Sequence, residues 1–126
     1  MLAIDTNVLV RLVTQDDVKQ YNKALVAVKS GAWVSHVVLI ETLWVLSNLY
    51  ELKDAQLKKI LRIFLTHEHI TLEDRAVVEL ALLDFEENSK VGFADCLILA
   101  IARQQKKLPL LTFDKALSRL RDTKIL

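Results

Sequence analysis

Leu2-Ala3-Ile4-Asp5-Thr6-Asn7-Val8-Leu9-Val10-Arg11 is the stretch on which the reading of this chain turns. Three apolar residues run into a carboxylate, two small polar residues follow, and an apolar run resumes. The pattern predicts a short buried strand, a stop at Asp5 and a helix from Thr6 or Asn7. Asp5 is the only charged side chain among the first ten residues. A carboxylate at the end of a buried strand is costly unless a cation or a hydrogen-bond donor meets it. The rest of the chain has to supply that partner.

With 126 residues, one domain over 1–126 is expected, large enough to bury a core without disulfides or a structural metal. Hydrophobic residues make up 52% and charged residues 26%, the balance of a folded, soluble chain. No apolar run reaches the roughly 18 residues that span a bilayer. The start carries neither a basic n-region nor a small-residue cleavage site, so no export and a cytoplasmic setting are expected. A lone cysteine, Cys96, excludes a disulfide framework and a Cys-based zinc site, and it reads as an inert buried thiol.

The net charge of +1 excludes a strongly basic nucleic-acid binder. Charge is unevenly spread, though: residues 101–126 hold seven bases (Arg103, Lys106, Lys107, Lys115, Arg119, Arg121, Lys124) against two acids. Such a basic end suits phosphate contact or a plain solvated face.

After the opening strand, a short helix over 7–13 is expected, then one over 18–30 begun by Asp16-Asp17, with Val18, Tyr21, Leu25 and Val28 inward. Gly31 stops it, and Trp33-Val34-Ser35 reads as a second strand. Residues 37–50 have helical length and are apolar on nearly every side except for Glu41, as in a helix buried on several faces or in a subunit interface. A helix over 55–66 capped by Asp54, a strand at 70–72 and a helix from Glu73-Asp74 to 87 follow, with Asp84, Glu86 and Glu87 on its solvated face. His67 and His69 stand two apart, a spacing that suits no usual zinc pattern, and read as loop residues. A helix over 94–106, a strand at 110–112, a last helix over 115–121 and a short edge strand at 124–126 complete the chain. Strands alternating with helices throughout predict an α/β fold with a mainly parallel sheet covered on both faces.

Four acids stand alone in apolar surroundings: Asp5, Glu41, Asp95 and Asp114. Asp5, Asp95 and Asp114 sit at or near predicted helix starts, where capping alone accounts for an acid. Glu41 resists that account. In an open α/β sheet the strand ends and the following helix starts share one edge, so all four are expected at one crevice. Carboxylates gathered there raise one another's pKa, and a hard divalent cation with oxygen ligands, most often Mg²⁺, resolves the repulsion. With two glycines in the chain, Gly31 and Gly92, there is no phosphate-binding loop.

These residues resemble a known family. Ile-Asp-Thr-Asn-Val-Leu-Val-Arg at 4–11, the lone Glu41 before Leu43-Trp44-Val45-Leu46, Phe93-Ala94-Asp95-Cys96-Leu97-Ile98, and Leu111-Thr112-Phe113-Asp114-Lys115 look like the motifs of PIN-domain ribonucleases, above all the VapC-type toxins of toxin–antitoxin pairs. The match runs over nearly the whole chain, with the motifs in order. It departs at Gln105-Lys106-Lys107, where relatives often carry a glycine. The resemblance implies a three-layer α/β/α sandwich around a central, mainly parallel sheet of four or five strands. It also implies Mg²⁺- or Mn²⁺-dependent cleavage of RNA, and neutralisation by a cognate antitoxin protein.

On this reading Asp5, Glu41, Asp95 and Asp114 are catalytic metal ligands, with Asp5 and Asp95 innermost. Thr112 and Asn7 are candidates to position a metal-bound water, and Arg11, Lys115 and Arg119 to hold the RNA backbone. A helix as apolar as 37–50 predicts a homodimer. Two rival readings are a Mg²⁺-dependent phosphohydrolase and a non-catalytic PIN-like domain that binds RNA or a partner. An aspartyl-nucleophile phosphohydrolase usually has a second aspartate two residues on, where this chain has Asn7. Retention of all four acids argues against a non-catalytic domain.

Overall fold

A computed structural model describes residues 1–126, and every element in it follows the expected alternation of strand and helix. By internal contacts the chain divides into two compact units, Met1–Arg75 and Ala76–Leu126.

The first unit holds three strands, β1 (Leu2–Ala3), β2 (Ala32–Val34) and β3 (Ile70–Leu72). They pair in parallel in the order β1-β2-β3, with Ala3 opposite Trp33 and Trp33 opposite Thr71. Parallel neighbours need crossover connections, and helices supply them. Between β1 and β2 run α1 (Thr6–Thr14) and α2 (Val18–Val28); between β2 and β3 run α3 (His36–Asn48) and α4 (Asp54–Thr66). Each start has a chemical cause. Asp5 accepts from the backbone N–H of Val8, Asp17 from that of Gln20 and Ser35 from that of Val38, so each short polar side chain satisfies an otherwise orphaned donor. Gly31, at φ 95°, makes the left-handed turn from α2 into β2 that a side chain would disfavour.

The core of this unit is aliphatic. Leu9, Leu46 and Leu61 are fully buried, and α1 packs against both α2 and α3. Each such leucine contributes about 1.5–3 kcal/mol of burial.

The second unit begins within α5 (Arg75–Glu87) and continues through α6 (Phe93–Gln104), β4 (Leu110–Thr112), a single 3₁₀ turn at Leu117–Arg119, and β5 (Thr123–Ile125). β4 and β5 pair in parallel, Leu111 opposite Lys124. Phe85 on α5 meets Phe93 on α6 edge to face, ring centroids 5.9 Å apart, and both rings are buried. Arg103 ties three segments together: it donates to Asp84 on α5 and to Asp122 and the Arg121 carbonyl ahead of β5, each at 2.9 Å. The mixed α/β architecture with parallel strands is therefore as expected. No helix is long and apolar enough to cross a membrane.

Several local expectations are corrected. β1 is not buried: Leu2 is 77% exposed, because a two-residue strand on the edge of its sheet has a neighbour on one side only. The inward face of α2 is Ala24 and Val28, while Val18 is 68% exposed. The cap of α4 is Lys53, whose backbone N–H is held by the Gln56 side chain, with Asp54 in the first turn. Asp84 is not on a solvated face but lies largely covered against Arg103. The helix expected over 115–121 shrinks to the 3₁₀ turn. Lys106, in the segment where relatives often carry glycine, adopts φ 56°, a left-handed conformation glycine would take without strain.

Candidate functional site

Asp5 ends the segment after β1 and caps α1. One carboxylate oxygen accepts from the Val8 N–H at 3.1 Å, and the side chain is solvent-exposed. The expected price of a buried charge is thus absent. The neighbour that matters is Thr6. Buried at the first position of α1, it donates its hydroxyl proton to Glu41 on α3. That bond joins residues 35 apart in sequence and draws the solitary glutamate of α3 to the start of α1, next to Asp5. Glu41 belongs to neither a cap nor an ion pair; it presents a carboxylate oriented by a threonine.

Asn7 is exposed and does not cap α1, since Asp5 already does. Arg11 is spoken for. It donates to Gln20 at 2.6 Å and, through one nitrogen, to both Asp16 and the Tyr50 hydroxyl at 3.1 Å; Tyr50 in turn donates to Asp16. The network links α1, the start of α2 and the residues after α3, so its first role is to brace that corner. Tyr50 and Thr14 both donate to Asp16 and hold its carboxyl below the ordinary range.

In the second unit, Asp95 lies in the first turn of α6, where acid and helix dipole are matched, and it is half-buried. Burial pushes its carboxyl above the ordinary range, and the negative charge of Asp114 adds to the push. Asp114 is exposed and follows β4; one of its oxygens caps the 3₁₀ turn, accepting from the N–H groups of Ala116 at 2.8 Å and Leu117 at 3.1 Å. Its own N–H donates to the Thr112 hydroxyl at 3.0 Å, which fixes the loop between them and leaves the Thr112 proton free to donate onward. Lys115, after Asp114, and Arg119, at the end of the 3₁₀ turn, are exposed. Cys96, beside Asp95, is fully buried, and burial raises its thiol to about 12, so the chain's one cysteine is inert.

In one unit Glu41 is thus tied to Thr6, the residue after Asp5, and in the other Asp95 feels the charge of Asp114. Nowhere do three His, Cys, Asp or Glu side chains form a ready-made cage. His67 and His69 touch each other, and His69 pairs with Glu68. A donor set of carboxylate oxygens fits Mg²⁺ or Mn²⁺, since Mg²⁺ keeps several waters and takes one or two carboxylates. Burial first and the Asp114 charge second raise Asp95, and a cation would offset both.

The bond from Thr6 to Glu41 is the feature that sequence reasoning missed. The place of Thr6 directly after Asp5, with a lone glutamate in an otherwise apolar helix still needing a donor, was the available signal. Thr6→Val removes the hydroxyl at nearly constant volume, and metal affinity is expected to fall by about 10–100-fold, with Thr6→Ser restoring it. Titration with Mn²⁺ measures this; equal affinity in the valine variant would remove Thr6 from the site.

Parallel strands joined by helices, with acids at strand ends and helix starts, define a class of divalent-metal hydrolase folds. Comparison with known families makes this specific: the PIN domain family matches residues 2–122, and the chain belongs to that family. PIN domains are generally nucleases that use divalent metal ions. No curated protein matches the chain.

Proposed function

We propose that this protein is a Mg²⁺-dependent endoribonuclease acting as the toxin of a toxin–antitoxin pair in the cytoplasm. Asp5, Glu41, Asp95 and Asp114 are its metal-holding carboxylates, and Mn²⁺ can replace Mg²⁺. The observations that carry this are the bond that ties Glu41 to Thr6, the residue after Asp5, and the charge coupling of Asp95 with Asp114, in a chain whose PIN match runs over all four acids. When bound, the ion lowers the pKa of a coordinated water and neutralises charge on the phosphate undergoing in-line displacement.

The protein's own groups have separable tasks. Asp95 and Asp114 present like charges that favour a cation over the empty state. Thr6 aims Glu41, and the Asp5 oxygen not bound to Val8 stays free to bind. Thr112 keeps a proton to donate to a water, and Lys115 and Arg119 supply exposed positive charge for an RNA backbone. α3 exposes Val37 and Trp44 on one stripe, 75% and 57% accessible, which supports the proposed homodimer.

RNA incubated with the protein is expected to be cut internally with Mg²⁺ and to survive with EDTA. Cleavage that persists in EDTA contradicts the proposal. Release of phosphate from small esters with intact RNA would favour the phosphohydrolase.

A further inference from the structure

Phe113 is 80% exposed, more than any other large apolar side chain of the protein, and it stands between Thr112 and Asp114. Burying a phenylalanine is among the larger single gains open to a fold, and here that gain is forgone. The backbone on both sides of the ring is nevertheless fixed. The Thr112 carbonyl accepts from the Leu126 N–H at 2.9 Å, and the Thr112 hydroxyl from the Asp114 N–H at 3.0 Å. The Asp114 carbonyl accepts from the Ser118 N–H at 3.0 Å, while its carboxylate caps the 3₁₀ turn. A braced backbone therefore holds the ring out in solvent.

Strand alternation says which side it is held on. In β4, Leu110 and Thr112 are half-buried and Leu111 is exposed, so Phe113, two residues after Leu111, projects on the same open face. Lys124 of β5 pairs opposite Leu111, and Lys115 and Arg119 belong to the turn that follows the ring. All three cations are exposed, and none is held in an ion pair. The acids of this stretch are Asp114 itself and Asp122, which Arg103 engages. An exposed flat ring among free cations suits a polyanion that carries flat rings: bases stack on the aromatic face and phosphates meet the cations. The core of a protein interface is poor in lysine, whereas the segment around this ring carries Lys115 and Lys124.

We propose that Phe113 is the platform on which an unpaired base of the RNA substrate stacks, beside the phosphate handled at Asp114, with Lys115, Arg119 and Lys124 meeting the neighbouring phosphates. The inference rests on the ribonuclease reading and adds the residue that grips the base. The nucleotide there must be unpaired, because a base inside a duplex has both faces covered by its neighbours. Stacking tolerates every base, since each has a flat face, so the platform positions the strand without reading its sequence.

Phe113→Ala, Phe113→Leu and Phe113→Trp, assayed with Mg²⁺ on one short single-stranded RNA, test it. The alanine and leucine variants are expected to raise KM about tenfold while changing kcat by about twofold or less, and the tryptophan variant to keep the wild-type KM. On a duplex of the same sequence the wild type should lose at least about tenfold in kcat/KM, and Phe113→Ala should lose nothing further. An alanine variant with unchanged KM, or leucine serving as well as phenylalanine, overturns the proposal. Unchanged KM together with an altered mass in sedimentation would make the face a protein contact instead. A second measurement needs no cleavage: in EDTA, a fluorescent oligouridylate should bind wild type and Phe113→Trp alike and Phe113→Ala about tenfold more weakly. That order of binding without RNA cleavage in Mg²⁺ would keep the platform and discard the nuclease; cleavage without that order would do the reverse.

Discussion

Asp95→Asn is expected to lower Mg²⁺-dependent RNA cleavage by about 10²-fold or more while leaving the fold intact. The amide keeps the shape of the carboxylate and removes the charge that holds the cation, and a metal contributes several kcal/mol to this chemistry, each 1.36 kcal/mol being tenfold in rate. The same substitution should move stability the other way. In the folded protein, burial and then Asp114 push the Asp95 carboxyl above its unfolded value. As pH rises past the ordinary aspartate range, the unfolded chain loses that proton before the folded one does, so the ionised form costs the fold stability. In EDTA at neutral pH, the asparagine variant should therefore melt at or above the wild-type temperature. Below the ordinary aspartate range, where both states are protonated, the difference should vanish. A variant that is inactive because it unfolds would show a lowered melting temperature at neutral pH, and the metal-ligand role would lose its support.

Phe85→Ala carries the largest expected loss of stability, about 3–5 kcal/mol. Phe85 is 2% exposed and stands edge-on to Phe93, 5.9 Å away. Removing its ring leaves a cavity under the start of α6, two residues before Asp95. Urea denaturation checks the magnitude, and Phe113→Ala is the natural control. Phe113 is 80% exposed, so the same change there should cost within about 0.5 kcal/mol. Equal effects at the two positions would contradict the assignment of the core.

The α/β class and most helix starts were legible in the sequence because they depend on local chemistry. Asp17 caps α2 at the predicted place, and β3 and β4 fall on the predicted residues. What was not legible required a partner far along the chain. Asp84 looked like part of an acidic surface because Arg103, which covers it, lies 19 residues away. β1 looked buried because composition cannot tell an edge strand from a central one. Arg11 looked available to RNA, whereas Gln20, Asp16 and Tyr50 hold it.

The candidate site follows the same division. All four acids could be picked out by their isolation among apolar residues, and the motifs around them by resemblance. How they are held could not. The Thr6–Glu41 bond, the Asp114 cap on its 3₁₀ turn and the charge coupling between Asp95 and Asp114 are tertiary facts. Asp5 shows the difference most clearly: after three apolar residues it reads as a costly buried charge, and in the fold it is an exposed cap with an oxygen to spare.

Binding of Mn²⁺ followed by electron paramagnetic resonance tests the central claim most directly. Wild-type protein is expected to take up Mn²⁺ that Mg²⁺ displaces, and Asp5→Asn and Asp95→Asn should each weaken Mn²⁺ binding by at least about tenfold. Mn²⁺ binding that is unchanged in either variant would contradict the assignment of that carboxylate as a metal ligand.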